Sequence, residues 1–163
     1  MFNDELMLSI LRRQISPTFH MIADIIDTCP DSLWNDSRSG RPFWQQVLHA
    51  LIGIQFWFRE ASEAFVPPDL GQGTIPDLDQ VPNFTVDKDI VRAYLQTMRS
   101  RADAFFDSFN DEALLVNSSI YDKYTNADLI LRQIRHIQHH VGYCSCLLRI
   151  GGAKPPKWIG YAE

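Results

Sequence analysis

Residues 125–148 read TNADLILRQIRHIQHHVGYCSCLL, and three of the chain's five histidines fall inside this stretch. An α-helix turns by about 100° per residue, so residues four apart stand almost above one another. On such a wheel Leu129, Ile130, Ile134, His136, Ile137, His140, Val141, Cys144, Leu147 and Leu148 share one side. Asp128, Arg132, Arg135, Gln138 and Arg149 take the other, and His139 falls with them. The spacing predicts an amphipathic helix with His136 and His140 in or beside its apolar stripe, and His139 on the wet face. Thr125 with Asp128 three residues on has the form of a capping box, and Gly151-Gly152 followed by Pro155-Pro156 marks the stop.

Two histidines four apart on one helical face can share a transition metal, but two protein ligands hold an ion weakly. His49 is the best third candidate. It lies within PFWQQVLHALIGIQFWFREASEAF (42–65), which is apolar almost all round and predicts a helix that is central or buried on two sides, one of them against a second subunit. A lone histidine in such a helix is more often a hydrogen-bonded core residue; the incomplete pair elsewhere is what raises it. Gln45, Ile52, Gly53 and Phe56 share its side, and Gly53 would let another helix approach closely.

Three neutral imidazoles suit Zn²⁺, Ni²⁺, Fe²⁺ or Cu²⁺ rather than Mg²⁺ or Ca²⁺, and they leave a coordination position open for water or substrate. Two rival metal patterns fail. A zincin helix needs Glu after its first His, where this chain has Ile137. A di-iron bundle needs Glu-x-x-His pairs. The residues three before His49, His136, His139 and His140 are Gln46, Gln133, His136 and Ile137. Cys144, one turn beyond His140, fits a small core residue better than a fourth ligand or a redox neighbour. No general base is evident, and Gln45, Gln133, Tyr143 and Glu60 are the polar candidates around the ligands.

Working outward, apolar residues at helical spacing predict a first helix over 4–28, with Pro17 either kinking it or opening a second helix after Ser16. His20 just beyond reads as a partly exposed surface residue. Residues 29–42 form a connection, from which Trp34 is expected to cover one end of the fold. Residues 66–83 hold four prolines, a loop long enough to carry function or to cross over and let the second and third helices run parallel. Thr85 is placed to cap a third helix to Phe109 whose stripe of Val91, Tyr94, Leu95, Met98, Ala102, Phe105 and Phe106 is core. One short turn is expected at 111–116. The tail KPPKWIGYAE should fold back through Trp158 and Tyr161. No strand pattern and no repeat appear.

The fold class is therefore all-α, a four-helix bundle in one domain spanning 1–163. A net charge of −5 without a basic stripe argues against nucleic acid. No span has the length of a membrane helix, and MFNDELMLSI is acidic rather than a signal peptide. Three cysteines read as reduced thiols in a cytoplasm.

The His136–Tyr143 run (His-x-x-His-His-x-Gly-aromatic), the Phe43-Trp44…Val47-Leu48-His49 run and the Pro155–Tyr161 tail together resemble the DinB / YfiT-like family across essentially the whole chain. The resemblance implies a bundle in up-down-down-up order, often a homodimer. It implies a divalent metal, zinc or nickel first and iron next, on His49, His136 and His140. Family members with assigned activities include thiol-dependent S-transferases and a mycothiol-dependent maleylpyruvate isomerase. The expectation is a metal-dependent enzyme acting on a small molecule, with a low-molecular-weight thiol as cosubstrate, or else a metal-binding or stress-related protein without turnover. No residue here identifies the thiol.

Overall fold

The computed structural model describes residues 6–160 apart from positions 39, 72, 74 and 76. It is helical: α1 (Leu6–Thr28), α2 (Asp31–Trp34), α3 (Phe43–Trp57), α4 (Lys88–Asp107), α5 (Asp111–Leu114) and α6 (Asn126–Ile150). Among the described residues there is no strand, and Asn117 and Thr125 form an isolated bridge. None of these helices is long and apolar enough to cross a membrane.

Each of the four long helices packs on two others: α3 lies against α6 and α4, and α1 against α6 and α4. Leu8 N–H donates to Asp111 and Arg12 pairs with Asp107, while Asp27 pairs with Arg92. The start of α1 thus sits beside the end of α4, and its end beside the start of α4. Pro17 resolves as part of one continuous α1. It has no N–H to give the preceding turn; next to it, the Thr18 hydroxyl donates to the Ile15 carbonyl at 2.6 Å.

α3 is the central helix. Phe43, Trp44, Val47, Leu48, Ala50, Leu51 and Ile54 are all fully buried, while Ile52, Phe56 and Trp57 are half-buried. It ends at Trp57 rather than at Phe65 as the pattern suggested. Arg59 turns back to the Phe56 carbonyl, and the Phe65 ring folds onto Phe56 with centroids 4.9 Å apart. An orphan carbonyl of the last turn is satisfied that way, and the apolar residue beyond it packs without a helix.

α4 likewise starts later than expected. Asp87, not Thr85, is its N-cap, and the cap makes no side-chain bond. The reason is Trp34, buried beside Phe43, whose indole N–H donates to the Val86 carbonyl at 2.7 Å and holds that stretch as a strap. The 111–116 turn appears as α5. α6 opens on Thr125, whose hydroxyl accepts from Asp128 N–H at 3.2 Å while Asp128 accepts from Thr125 N–H at 3.0 Å. Such a cap is worth about 1 kcal/mol.

The crossover between α3 and α4 is pinned rather than loose. The Gln45 amide donates to the carbonyls of Asp77 (3.0 Å) and Gln80 (2.9 Å), and Ile75 is buried. That tether matters below, because it carries Asp77 over the middle of α3. The tail packs through Ala153 and Ile159, whereas Trp158 is 75% exposed, so the aromatic expected to anchor it does not. Tyr161 lies outside the described residues.

Candidate metal centre

His49 sits in the middle of α3, and His136 and His140 stand on successive turns of α6. The α3–α6 contact brings one nitrogen of each ring within 4.8 Å of the others. Ring centroids are 5.1 Å apart for His49–His136, 5.0 Å for His49–His140 and 4.8 Å for His136–His140. Gly53, one turn after His49, permits this approach. A Cβ there would lie 2.8 Å from both Gln133 Oε1 and His136 Nδ1, closer than real contacts allow.

The cluster is neutral by construction. Burial lowers the pKa of His136 to about 4 and that of His140 to about 3, with the neighbouring imidazoles and, for His136, Arg132 adding to the effect. Burial also lowers that of His49, opposed by Asp77. Removing the rings from water disfavours their charged form, so at neutral pH they present lone pairs, as a metal requires.

Two of the three rings are oriented from behind. Asp77 Oδ1 lies 3.0 Å from His49 Nδ1, and Gln46 Oε1 lies 3.0 Å from His140 Nδ1. Both oxygens accept, so each Nδ1 carries the proton and each Nε2 keeps its lone pair. The third ring has no such support: His136 Nδ1 is buried without a hydrogen-bond partner, and so are both amide atoms of the fully buried Gln133. These orphaned groups border the same small residue, Gly53.

His49 and His136 open onto a cavity of about 460 Å³ walled by Ile52, Gly53, Phe56, Trp57, Phe65, Pro67 and Ile75, with Asp77 and Arg132 as its charged members. Cys144 takes the core role: it is fully buried, its thiol is pushed far up by burial, and it stands outside the cluster. His139 is exposed and also outside, its ring edge-on to His140 at 5.1 Å. Tyr143 and Glu60 are exposed and line neither cluster nor cavity.

Sequence reasoning missed two supporting residues. Gln46, rather than Gln45, meets His140; it is buried next to His49 on α3, and a buried glutamine in so apolar a helix was the available signal. Asp77 sits in an aperiodic loop and left no signal, since only the Gln45 tether brings it to His49.

Fold and site together define an all-helical protein with a three-histidine cluster at the contact of two long helices. The chain belongs to the DinB superfamily, whose family model matches residues 14–144. No curated protein matches the chain.

Proposed function

We propose that His49, His136 and His140 hold one divalent transition-metal ion, zinc or nickel in first place and iron next. The observation that carries this reading is the convergence of three neutral imidazole nitrogens within 4.8 Å, from two separate helices, beside an accessible cavity. The donor set fits the group. Imidazole nitrogen suits these ions, and the Asp77–His49 and Gln46–His140 pairs aim lone pairs as outer-shell partners of metal-bound histidines do.

The helices are proposed to run up-down-down-up, which the α1–α4 end pairings and the His49–His140 and Gly53–Gln133 proximities support. The proposed setting is the cytoplasm, with three free thiols, and the proposed assembly is a homodimer, checked by light scattering.

The activity proposed is that of a metal-dependent enzyme, a thiol S-transferase in the first instance. When bound, the ion would act as a Lewis acid, favouring the deprotonated form of an oxygen or sulfur group placed against it. The chain's own residues do the rest. Asp77 and Gln46 hold the His49 and His140 tautomers, while Phe56, Trp57 and Phe65 keep water from one side of the site. The cavity favours turnover over simple storage, because storage needs no room beside the ion.

Elemental analysis of protein purified without a histidine tag should give about one transition ion per chain. His49→Ala and His140→Ala should each abolish it; unchanged metal content in either variant would remove the assignment. Metal-loaded protein is then screened for conjugation of electrophiles to glutathione, bacillithiol and mycothiol. Silence with all three would leave a metal-binding protein without this turnover.

A further inference from the structure

The cavity beside the histidines has a chemical bias of its own. Its walls are mostly aromatic and aliphatic, and its volume of about 460 Å³ suits a small organic molecule. Of its two charged members, Asp77 is engaged with His49 at 3.0 Å. Arg132 is different. It lies one turn before His136 on α6, and its guanidinium sits over the Trp57 ring at 4.4 Å from the centroid. Among the described residues it makes no ion pair, whereas Arg12, Arg38, Arg92 and Arg101 each hold a carboxylate.

A cation fixed on an aromatic face at the mouth of an apolar cavity has lost part of its rotamer freedom already, and its N–H edge can take a bidentate anion. We propose that the site takes a small organic anion with an aromatic or branched aliphatic body. Its carboxylate, sulfonate or phosphate group would lie on Arg132 at the rim, and its body against Phe56, Trp57 and Phe65, facing His49 and His136. This deepens the functional reading above and rests on it for the role of the histidines, but the anion site stands on Arg132 and the cavity alone. The one negative charge of Asp77 does not reverse the preference, since Asp77 lies against His49 and a divalent ion on the histidines would outweigh it.

The test uses full-length protein, zinc-loaded and metal-stripped, titrated calorimetrically with 2-naphthoate and with its neutral analogue 2-naphthamide. The acid should bind at least about tenfold more tightly than the amide. Arg132→Gln should erase that preference while leaving the amide's affinity within about twofold, and Phe56→Ala should weaken both ligands alike. Equal binding of acid and amide to the unaltered protein, no binding of either, or a preference that survives Arg132→Gln would overturn the inference. A preference that survives Arg132→Gln but vanishes on metal removal would place the carboxylate on the ion, leaving the metal reading intact. Failure to take up metal, with an Arg132-dependent preference still present, would do the reverse.

Discussion

The α1–α4 and α3–α6 contacts are built from the same kind of helix but hold different things between them. α1 buries Leu8, Leu11, Ile15 and Ile22, α4 buries Val91, Leu95, Met98, Ala102 and Phe106, and the two helices pack on one another. Their polar links, Arg12–Asp107 and Asp27–Arg92, lie out at the surface. Beside the hydrogen-bonded Gln46–His140 pair, α3 and α6 bury the Gln133 amide and His136 Nδ1 without partners and keep a glycine in the middle of a helix. Burying polar atoms without partners costs about 1–3 kcal/mol each, and a mid-helix glycine about 1 kcal/mol more than alanine. One interface is arranged for stability; the other carries costs that only a function requiring those groups would maintain.

The largest expected effect lies on the stability side. Phe106 is 1% exposed and set edge-to-face against Phe58 and Phe105. Phe106→Ala should cost about 3–5 kcal/mol in urea unfolding through the cavity it leaves. Metal affinity in the folded fraction should not change. If it falls in parallel, the two interfaces are not separable.

Acidification should act on the other side. In metal-stripped protein, His136 and His140 titrate near about 4 and about 3 when folded, below the ordinary 6.5. Between those values the unfolded chain binds more protons, so stability rises with pH through this window and is level above it. The stability gap between wild type and His140→Leu should therefore shift in favour of the leucine variant as pH falls from about 6.5 towards about 4.5. A pH-independent gap would show that His140 is not held neutral. The surface pairs of α1–α4 should contribute little, as exposed ion pairs are worth about 0–1 kcal/mol.

A smaller effect tests the close approach. Gly53→Ala puts a Cβ 2.8 Å from Gln133 Oε1 and His136 Nδ1, and should destabilise by about 1–3 kcal/mol while lowering metal affinity. Gly142 on the outer face of α6 has nothing within 4 Å, so Gly142→Ala should instead stabilise by about 0.5–1 kcal/mol. Equal responses at the two positions would remove the reason given for Gly53.

How much of this was legible follows from periodicity. The α6 stripe separated His136 and His140 from His139, and the cap at Thr125 and stop at Gly151 were readable because caps are local chemistry. The third histidine was readable only because the α6 pair lacked a third ligand, since a lone histidine in an apolar helix is more often a core residue. What could not be read depends on contacts distant in sequence. The strap from Trp34 to Val86 delays α4, the Arg59 turn-back shortens α3, and the Gln45 tether swings Asp77 onto His49. None has a period, and each is decided only once the helices have packed.

Gln133 offers the finest distinction between the two interfaces. Its amide is fully buried with neither atom hydrogen-bonded, next to a His136 Nδ1 in the same condition. If the α3–α6 contact served folding alone, a leucine of similar volume would be the better residue. Gln133→Leu should therefore raise the unfolding free energy of metal-stripped protein by about 1 kcal/mol, since two desolvated polar atoms are removed and the volume is kept. The same change should weaken metal binding by about tenfold if the glutamine steadies the His136 ring, the usual scale for an outer-shell partner. Calorimetric melting reads the first effect, and competition with a chromophoric chelator reads the second. A variant less stable than wild type would mean that the amide has a stabilising role in the core. Its burial would then say nothing about metal, and the contrast between the interfaces would rest on His136 and Gly53 alone.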